Sequence, residues 1–264
     1  MHTRGAPKGL FGFWQLCQHQ PVSDYQRFTR AGFASNPRMV SCLGNGLFME
    51  INQEPLIERV LTAEEQKKLT PDDVLRGLRE GNKRFAAGNL TLRDHSKQIR
   101  DAVNGQFPKA VILSCIDSRV PVEDVFDKGI GDLFVARVAG NIVNEDILGS
   151  MEFSCRVAGA KLVLVIGHEY CGAVKGAIDQ VSLGHLSGLL QKIQPAVHAC
   201  SDYSGVRSAK NPEFVDMVIR KNVELTVQNI RSRSSILHGM EKAGEIKIVG
   251  AYYDMDNGEV TFFD

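Results

Sequence analysis

Two short segments hold the side chains most able to do chemistry: Cys115-Ile-Asp117-Ser-Arg119 and His168-Glu-Tyr-Cys171. Two cysteines and one histidine suit zinc, which binds thiolate and imidazole and in catalytic sites keeps one position open for water. Taken alone, a histidine three residues before a cysteine more often serves structure. Joined to a cysteine that is followed at two and four residues by aspartate and arginine, it points to a reaction at an open metal position. His168 and Cys171 are spaced so that, at a strand-to-helix turn, both heads meet one ion, with Cys115 arriving from a neighbouring strand as the third ligand.

Both segments need to be delivered to one place, and the residues before them do this. Ala110-Val-Ile-Leu-Ser114 and Leu162-Val-Leu-Val-Ile-Gly167 are apolar, β-favouring runs. Such runs read as buried strands of a parallel sheet. Ligands of open α/β sheets bind at the carboxyl ends of strands. Elsewhere, Thr70-Pro71-Asp-Asp is a helix start, with Thr as N-cap and Pro at the first turn, and Val74, Leu75, Leu78, Phe85 and Ala86 form its apolar stripe up to Gly88. A strand is expected near Leu133–Val138 and a helix from Glu145 to Ala158, with Ile147, Leu148, Met151 and Cys155 inward. A further helix starts near Gly172. Asn211-Pro212 caps a long helix to about Arg231, with Phe214, Met217, Val218, Val223 and Leu225 as its apolar positions. Residues 245–253 and 260–263, around Asp256-Asn-Gly258, read as a closing hairpin. The expected class is α/β: a mainly parallel sheet with helices on both faces, a C-terminal antiparallel hairpin and an N-terminal helical arm at 71–87. No internal repeat is seen.

The chain has 264 residues and no net formal charge, enough for one sizeable core and without the basic excess that nucleic-acid binding requires. No apolar run reaches the ~18 residues of a membrane helix. Six irregularly spaced cysteines argue for metal-binding thiols in a reducing compartment rather than a disulfide framework. Residues 1–48 differ: Arg4, Lys8, Arg27, Arg30 and Arg38 face a single acid, Asp24. They lack a continuous apolar stretch, which speaks against a secretory signal and against a lipoprotein site at Met39-Val-Ser-Cys42. They read as a non-globular or targeting extension, or an over-long start with Met49 as initiator, before a single domain at 49–264. The expected location is cytoplasmic, or an organelle or the exterior if 1–48 is a targeting segment.

With these motifs in order, the chain resembles the β-class carbonic anhydrases. Cys115-Ile-Asp-Ser-Arg-Val-Pro121 and Gly167-His-Glu-Tyr-Cys-Gly-Ala173 match both signatures of that family, and the likeness runs from about Leu69 to the C-terminus, including Arg137-Val-Ala-Gly-Asn141. The resemblance implies one Zn2+ per subunit on Cys115, His168 and Cys171, with Asp117 and Arg119 as the catalytic dyad. It implies reversible hydration of CO2 to bicarbonate and a proton by attack of zinc-bound hydroxide, in a homodimer or tetramer with pockets at the subunit interface. Two thiolates cancel the formal charge of zinc and weaken it as an acid. The site then needs Asp117 to orient the nucleophile, and Arg119 to keep Asp117 ionised through a bidentate pair.

The same resemblance suggests Gln106, Phe134, Phe153 and Gly172 for substrate binding. Loop or core packing is the competing role for the first three, and a small residue at a helix start for Gly172. Some family members close the site by placing the aspartate on zinc, and these often carry a Trp, Arg and Tyr trio for bicarbonate. Here the trio positions hold Ile112, Arg137 and Phe153, so only Arg137 matches and an open site is expected. Cys155 and Cys200 read as small hydrophobes. His185, His198 and His238 have no partners at ligand spacing, and Glu169 and Tyr170 have no assigned role. Hydrolysis of CS2 or COS on the same scaffold, and a non-catalytic zinc-binding protein, are the rival readings; the Asp117–Arg119 pair speaks against the second.

Overall fold

The computed structural model describes Ile57 and residues 59–263, which belong to one compact unit, Glu54–Asp264. The extension expected at 1–48 lies outside the described residues. A short helix α1 (Ala63–Lys68) precedes α2 (Pro71–Ala86) and α3 (His95–Ala102). Strand β1 (Ala110–Ser114) leads to α4 (Val122–Val125), β2 (Leu133–Arg137) and α5 (Glu145–Glu152). Strand β3 (Leu162–His168) is followed by α6 (Gly172–Ile178), α7 (Gly184–Gln191), α8 (Gln194–Ala199), α9 (Pro212–Arg233) and α10 (Ser235–Lys242). Strands β4 (Lys247–Tyr253) and β5 (Val260–Phe263) close the chain.

The sheet order is β2-β1-β3-β4-β5, parallel throughout except for the antiparallel pair β4–β5. Every residue of β1 and β3 is buried, as their uninterrupted apolar runs require of central strands. Alternate side chains of these strands enter opposite layers. Val111, Leu113, Val163 and Val165 pack with α5, α9 and α10 residues such as Met151, Ile230 and Leu237, whereas Ala110, Ile112, Leu162 and Leu164 pack with Val74 and Leu78 of α2 and Val125 of α4. Helices thus cover both faces. No described helix is long and apolar enough to cross a membrane, and the described cysteines are all free and buried.

The start of α2 follows its sequence closely. Thr70 Oγ1 accepts from the Asp73 amide at 3.1 Å and Asp73 Oδ2 accepts from the Thr70 amide at 3.1 Å, a reciprocal capping box. Past the end of α2, Gly88 adopts φ +71°, the left-handed conformation that ends many helices. Inside α2, a Cβ on Gly81 would come within 1.9 Å of the Phe126 carbonyl oxygen, so α2 packs on the end of α4 at backbone distance.

Three local expectations differ from the structure. The helix expected over 145–158 is α-helical only to Glu152 and continues as a π-turn, Phe153–Val157, closed by a bond from the Ala158 amide to the Phe153 carbonyl. Ser150 and Ser154 both bond back to carbonyls four residues earlier, which loosens the ladder there. Cys155 stays buried but Phe153 is left 50% exposed. On α9 the buried stripe runs through Phe214, Val218, Ile219, Asn222, Val223, Thr226 and Ile230, so Met217 lies off it and is exposed. Asn211 precedes α9 but does not cap it; its amide donates to the Val206 carbonyl at 2.8 Å and the Tyr203 hydroxyl at 3.2 Å.

One buried ion cluster joins α2 to the loop after α4. The Asp127 side chain is fully buried; it accepts from Arg84 Nε and Arg93 Nη1, each at 2.5 Å, and from Thr91 Oγ1 at 2.6 Å. Burial alone would raise the Asp127 pKa, but the bonds from Thr91, Arg93 and Arg84 outweigh it and hold the carboxyl well below the usual range. Removing one partner of a buried pair leaves an uncompensated charge, at about 3–5 kcal/mol. Asp127→Ala should therefore lower the unfolding free energy from urea titration by about 3 kcal/mol or more. Arg84→Ala should cost less than Arg93→Ala, because the Arg84 side chain is 41% exposed and that of Arg93 12%. A loss below about 1 kcal/mol for Asp127→Ala, the range of surface pairs, would contradict this reading.

Candidate metal centre

Cys115 follows the last residue of β1, His168 ends β3, and Cys171 immediately precedes α6. Because β1 and β3 are parallel neighbours, their carboxyl ends bring these residues together. All three are buried, and the two sulfurs and a ring nitrogen lie within 4.8 Å of one another. Gly167, just before His168, lets α9 approach β3: a Cβ there would meet Val223 Cγ2 at 2.7 Å and Ile219 Cγ2 at 2.9 Å.

The imidazole is set for a metal by its neighbour. His168 Nδ1 lies 2.8 Å from the Glu169 carbonyl oxygen. A carbonyl can only accept, so Nδ1 carries the proton and Nε2 keeps its lone pair. Nε2 is buried and has no hydrogen-bond partner. A buried nitrogen lone pair beside two sulfurs is the set of atoms that a metal ligand site presents.

The sulfurs lead to the same point. Contact with the Cys171 thiol favours the Cys115 thiolate; burial opposes it, and the Gly140 amide, 3.3 Å from the sulfur, helps. The balance pulls the Cys115 thiol down to about 4. The same contact, with burial, pushes Cys171 up, although the Ala173 and Val174 amides at the start of α6 favour its thiolate. Negative charge on one sulfur thus opposes charge on the other. Ionising both requires a cation between them. Two thiolates and a neutral imidazole are a donor set that fits zinc.

Asp117 stands outside this donor group. Arg119 forks onto it, Nε to Oδ1 at 2.9 Å and Nη2 to Oδ2 at 2.8 Å, and the Arg119 amide donates to Oδ1 at 2.9 Å. Foremost through the Arg119 hydrogen bonds, and against burial, its carboxyl is held well below the usual carboxylate range. Ile116, between Cys115 and Asp117, is 62% exposed.

Two further residues shape the centre. Arg137, opposite Ser114 in the β1–β2 register, donates from Nε to the Cys115 carbonyl at 2.9 Å and from Nη2 to the Asp117 carbonyl at 2.6 Å. Its guanidinium thus clamps the loop between metal donor and dyad. Gly140 has φ +69°, and a Cβ there would strike Ile193 Cδ1 at 2.5 Å; the glycine lets its amide reach Cys115 while its carbonyl accepts from buried Asn222 at 2.8 Å. Both lie in Arg137-Val-Ala-Gly-Asn141, and Arg137 is also the one matching residue of the trio.

The substrate residues suggested by sequence are scattered. Gln106 is exposed and precedes β1, whereas the donors follow its far end; five strand residues span about 16 Å. The structure does not bring it to the site within one chain. Phe134 is half-buried on β2 against the core, and its ring centroid lies 6.2 Å from that of Phe153. Phe153 is too exposed for a core role. Gly172 is exposed at the start of α6, and a Cβ there would meet nothing within 4 Å, so space does not demand glycine. Ile112 is fully buried core.

A family model described as carbonic anhydrase matches residues 110–260. Carbonic anhydrase 2 of Mycobacterium tuberculosis is 35% identical over 195 residues, covering 72% of this chain and 91% of that protein. The β-carbonic anhydrase CafA of Aspergillus fumigatus superposes with a TM-score of 0.58 at 26% identity, over 64% of this chain and 82% of that one. Tetrameric β-carbonic anhydrases of Sordaria macrospora share the fold, with a TM-score of 0.57 at 20% identity over 62% of this chain and 85% of that one. The parallel sheet, the buried donors at its carboxyl edge and these likenesses converge: the chain belongs to the β-class carbonic anhydrase family and is a carbonic anhydrase enzyme.

Proposed function

We propose that the protein is a zinc enzyme that interconverts CO2 and bicarbonate, with Cys115, His168 and Cys171 holding the ion. The observation that carries this reading is the buried orphan His168 Nε2 beside two buried sulfurs, with the two sulfurs and a ring nitrogen within 4.8 Å of one another. When bound, zinc would supply a Lewis acid that makes water a nucleophile toward CO2.

The chain's own residues do the rest. Asp117, kept ionised by Arg119, can only accept hydrogen bonds at its carboxylate oxygens, so it orients an incoming O–H and leaves its proton in place. Arg137 holds the Cys115 and Asp117 carbonyls and so fixes the distance between donor and carboxylate. Asp117 has both oxygens on Arg119 and stands apart from the three donors, which supports an open site. Ile112 and Phe153 offer no hydrogen bond to a bicarbonate at the trio positions, and Arg137 is committed to backbone carbonyls. A substrate role for Gln106 requires that a second copy supply it. We read the enzyme as a homodimer or tetramer on that ground, and the tetrameric Sordaria macrospora enzymes support the larger assembly.

Asp117→Asn keeps the shape but removes the ionised acceptor. It should bind zinc at the wild-type stoichiometry and lose CO2 hydration by about a hundredfold, the scale of one preoriented hydrogen-bonding group. Stopped-flow CO2 hydration with zinc quantified checks this; zinc-loaded wild type without turnover would overturn the reading. The two thiolates weaken the Lewis acid, and Asp117 is already ionised far below neutrality. The rate should therefore rise with pH into the alkaline range, with no limb from Asp117. A rate fully developed by about pH 6, near the unperturbed histidine range, would contradict it.

A further inference from the structure

We infer that Glu169 is a positioning residue for the metal centre, tying the His168–Cys171 loop to the turn between β4 and β5. No metal donor role is assigned to it, and its side chain lies in the stretch between two donors that carry the chemistry.

Glu169 acts on both sides of itself. Its backbone carbonyl accepts from His168 Nδ1 at 2.8 Å and thereby sets the ring's tautomer and rotation. Its backbone amide donates to the Tyr253 carbonyl at 3.0 Å, extending the β3–β4 ladder by one step beyond the His168–Tyr253 pair. Its Oε2 accepts from the Met255 amide at 3.2 Å, in the β4–β5 turn. The peptide that orients the imidazole is thus held by one bond behind it and one from its own side chain.

The next residue shows why such a hold is needed. Tyr170 has φ +58°, a left-handed conformation that is costly for a bulky side chain and persists only where surroundings over-determine it. Its hydroxyl reaches Asp256 Oδ1 at 3.3 Å and Oδ2 at 3.4 Å, and Lys175 Nζ lies 5.4 Å from its ring centroid. The same turn therefore holds both residues between His168 and Cys171.

The turn is itself rigid. Asp254 Oδ1 accepts from the Asp256 amide at 2.8 Å and the Asn257 amide at 3.3 Å. Buried Asn82 on α2 donates to the Gly258 carbonyl at 2.9 Å and accepts from the Val260 amide at 2.8 Å. A continuous chain of hydrogen bonds thus runs from α2 through the turn and Glu169 to the imidazole. Carboxylate oxygens of Glu169, Asp254 and Asp256 lie within 4.8 Å of one another. Such crowding of acids is unfavourable unless each has its own donor, and here each has one. What the position needs is an acceptor for the Met255 amide, which an uncharged amide side chain also provides.

The test uses the full chain as Glu169→Ala and Glu169→Gln, loaded with zinc for release into a colorimetric chelator and with Co2+ for its visible ligand-field spectrum. Outer partners of metal ligands typically contribute about 10–100-fold in metal affinity. Glu169→Ala should release zinc about 10–100-fold faster and shift the Co2+ bands, whereas Glu169→Gln should stay within about threefold of wild type with an unshifted spectrum. If Glu169→Ala does not fold, Glu169→Leu, which fills the space but has no acceptor for the amide, takes its place with the same expectation. Wild-type release and spectrum in Ala or Leu, or equal loss in Gln, would overturn the positioning role. The inference rests on the zinc reading: a wild-type chain that takes up neither zinc nor Co2+ overturns both, while metal-loaded wild type with unaltered variants overturns the positioning role alone.

Discussion

Two sulfurs buried against each other cannot both be thiolates unless a cation lies between them, and the organisation of this site follows from that constraint. Contact with Cys171 draws Cys115 toward its ionised form and drives Cys171 the other way. Three amides from two places face the pair: Gly140 toward one sulfur, Ala173 and Val174 toward the other. These fixed dipoles favour negative charge where burial disfavours it. Two thiolates that would bind a metal tightly would also weaken it as an acid, so an ionised neighbour that orients without titrating would be needed. The Asp117–Arg119 fork answers that need, because the Arg119 hydrogen bonds hold its carboxyl well below the usual carboxylate range.

Each donor stands on a rigid support. Cys115 and His168 leave the two fully buried central strands, whose ends cannot shift without moving the core. Between these ends and the solvent, backbone hydrogen bonds do most of the positioning. Arg137 spends its guanidinium on two carbonyls of the Cys115–Asp117 loop. Gly140 turns its amide toward sulfur only because it lacks a Cβ and tolerates a positive φ.

Helix α2 has a wider part than covering one face of the sheet. Gly81 brings it to backbone distance from Phe126, Arg84 reaches the buried Asp127, and Asn82 holds the β4–β5 turn. That turn in turn bears on Glu169 and Tyr170. The helix read from sequence as an arm is, within one chain, also a strut that links the amino-terminal side of the sheet to the metal loop.

Much of this was legible in the residues. The unbroken apolar runs of β1 and β3 imply central parallel strands, Thr70-Pro71-Asp-Asp marks a helix start, and the cysteine and histidine spacing implies a three-donor site at strand ends. These are local signals, carried by residue type and period. Long-range geometry was not legible. The π-turn over Phe153–Val157 interrupts an apparently helical period at the place where Ser150 and Ser154 bond back to carbonyls. Gln106 and Cys115 flank β1 at opposite ends. Arg137 matches an anion-binding position by alignment, yet tertiary register places its guanidinium over backbone carbonyls. Sequence by itself determined which atoms could hold a metal and which strands deliver them, because those depend on side-chain chemistry and alternation. Only the tertiary structure decided what surrounds those atoms, because the bonds to Gly140, Arg137 and Met255 join residues 20 or more positions apart, and in the last case 86.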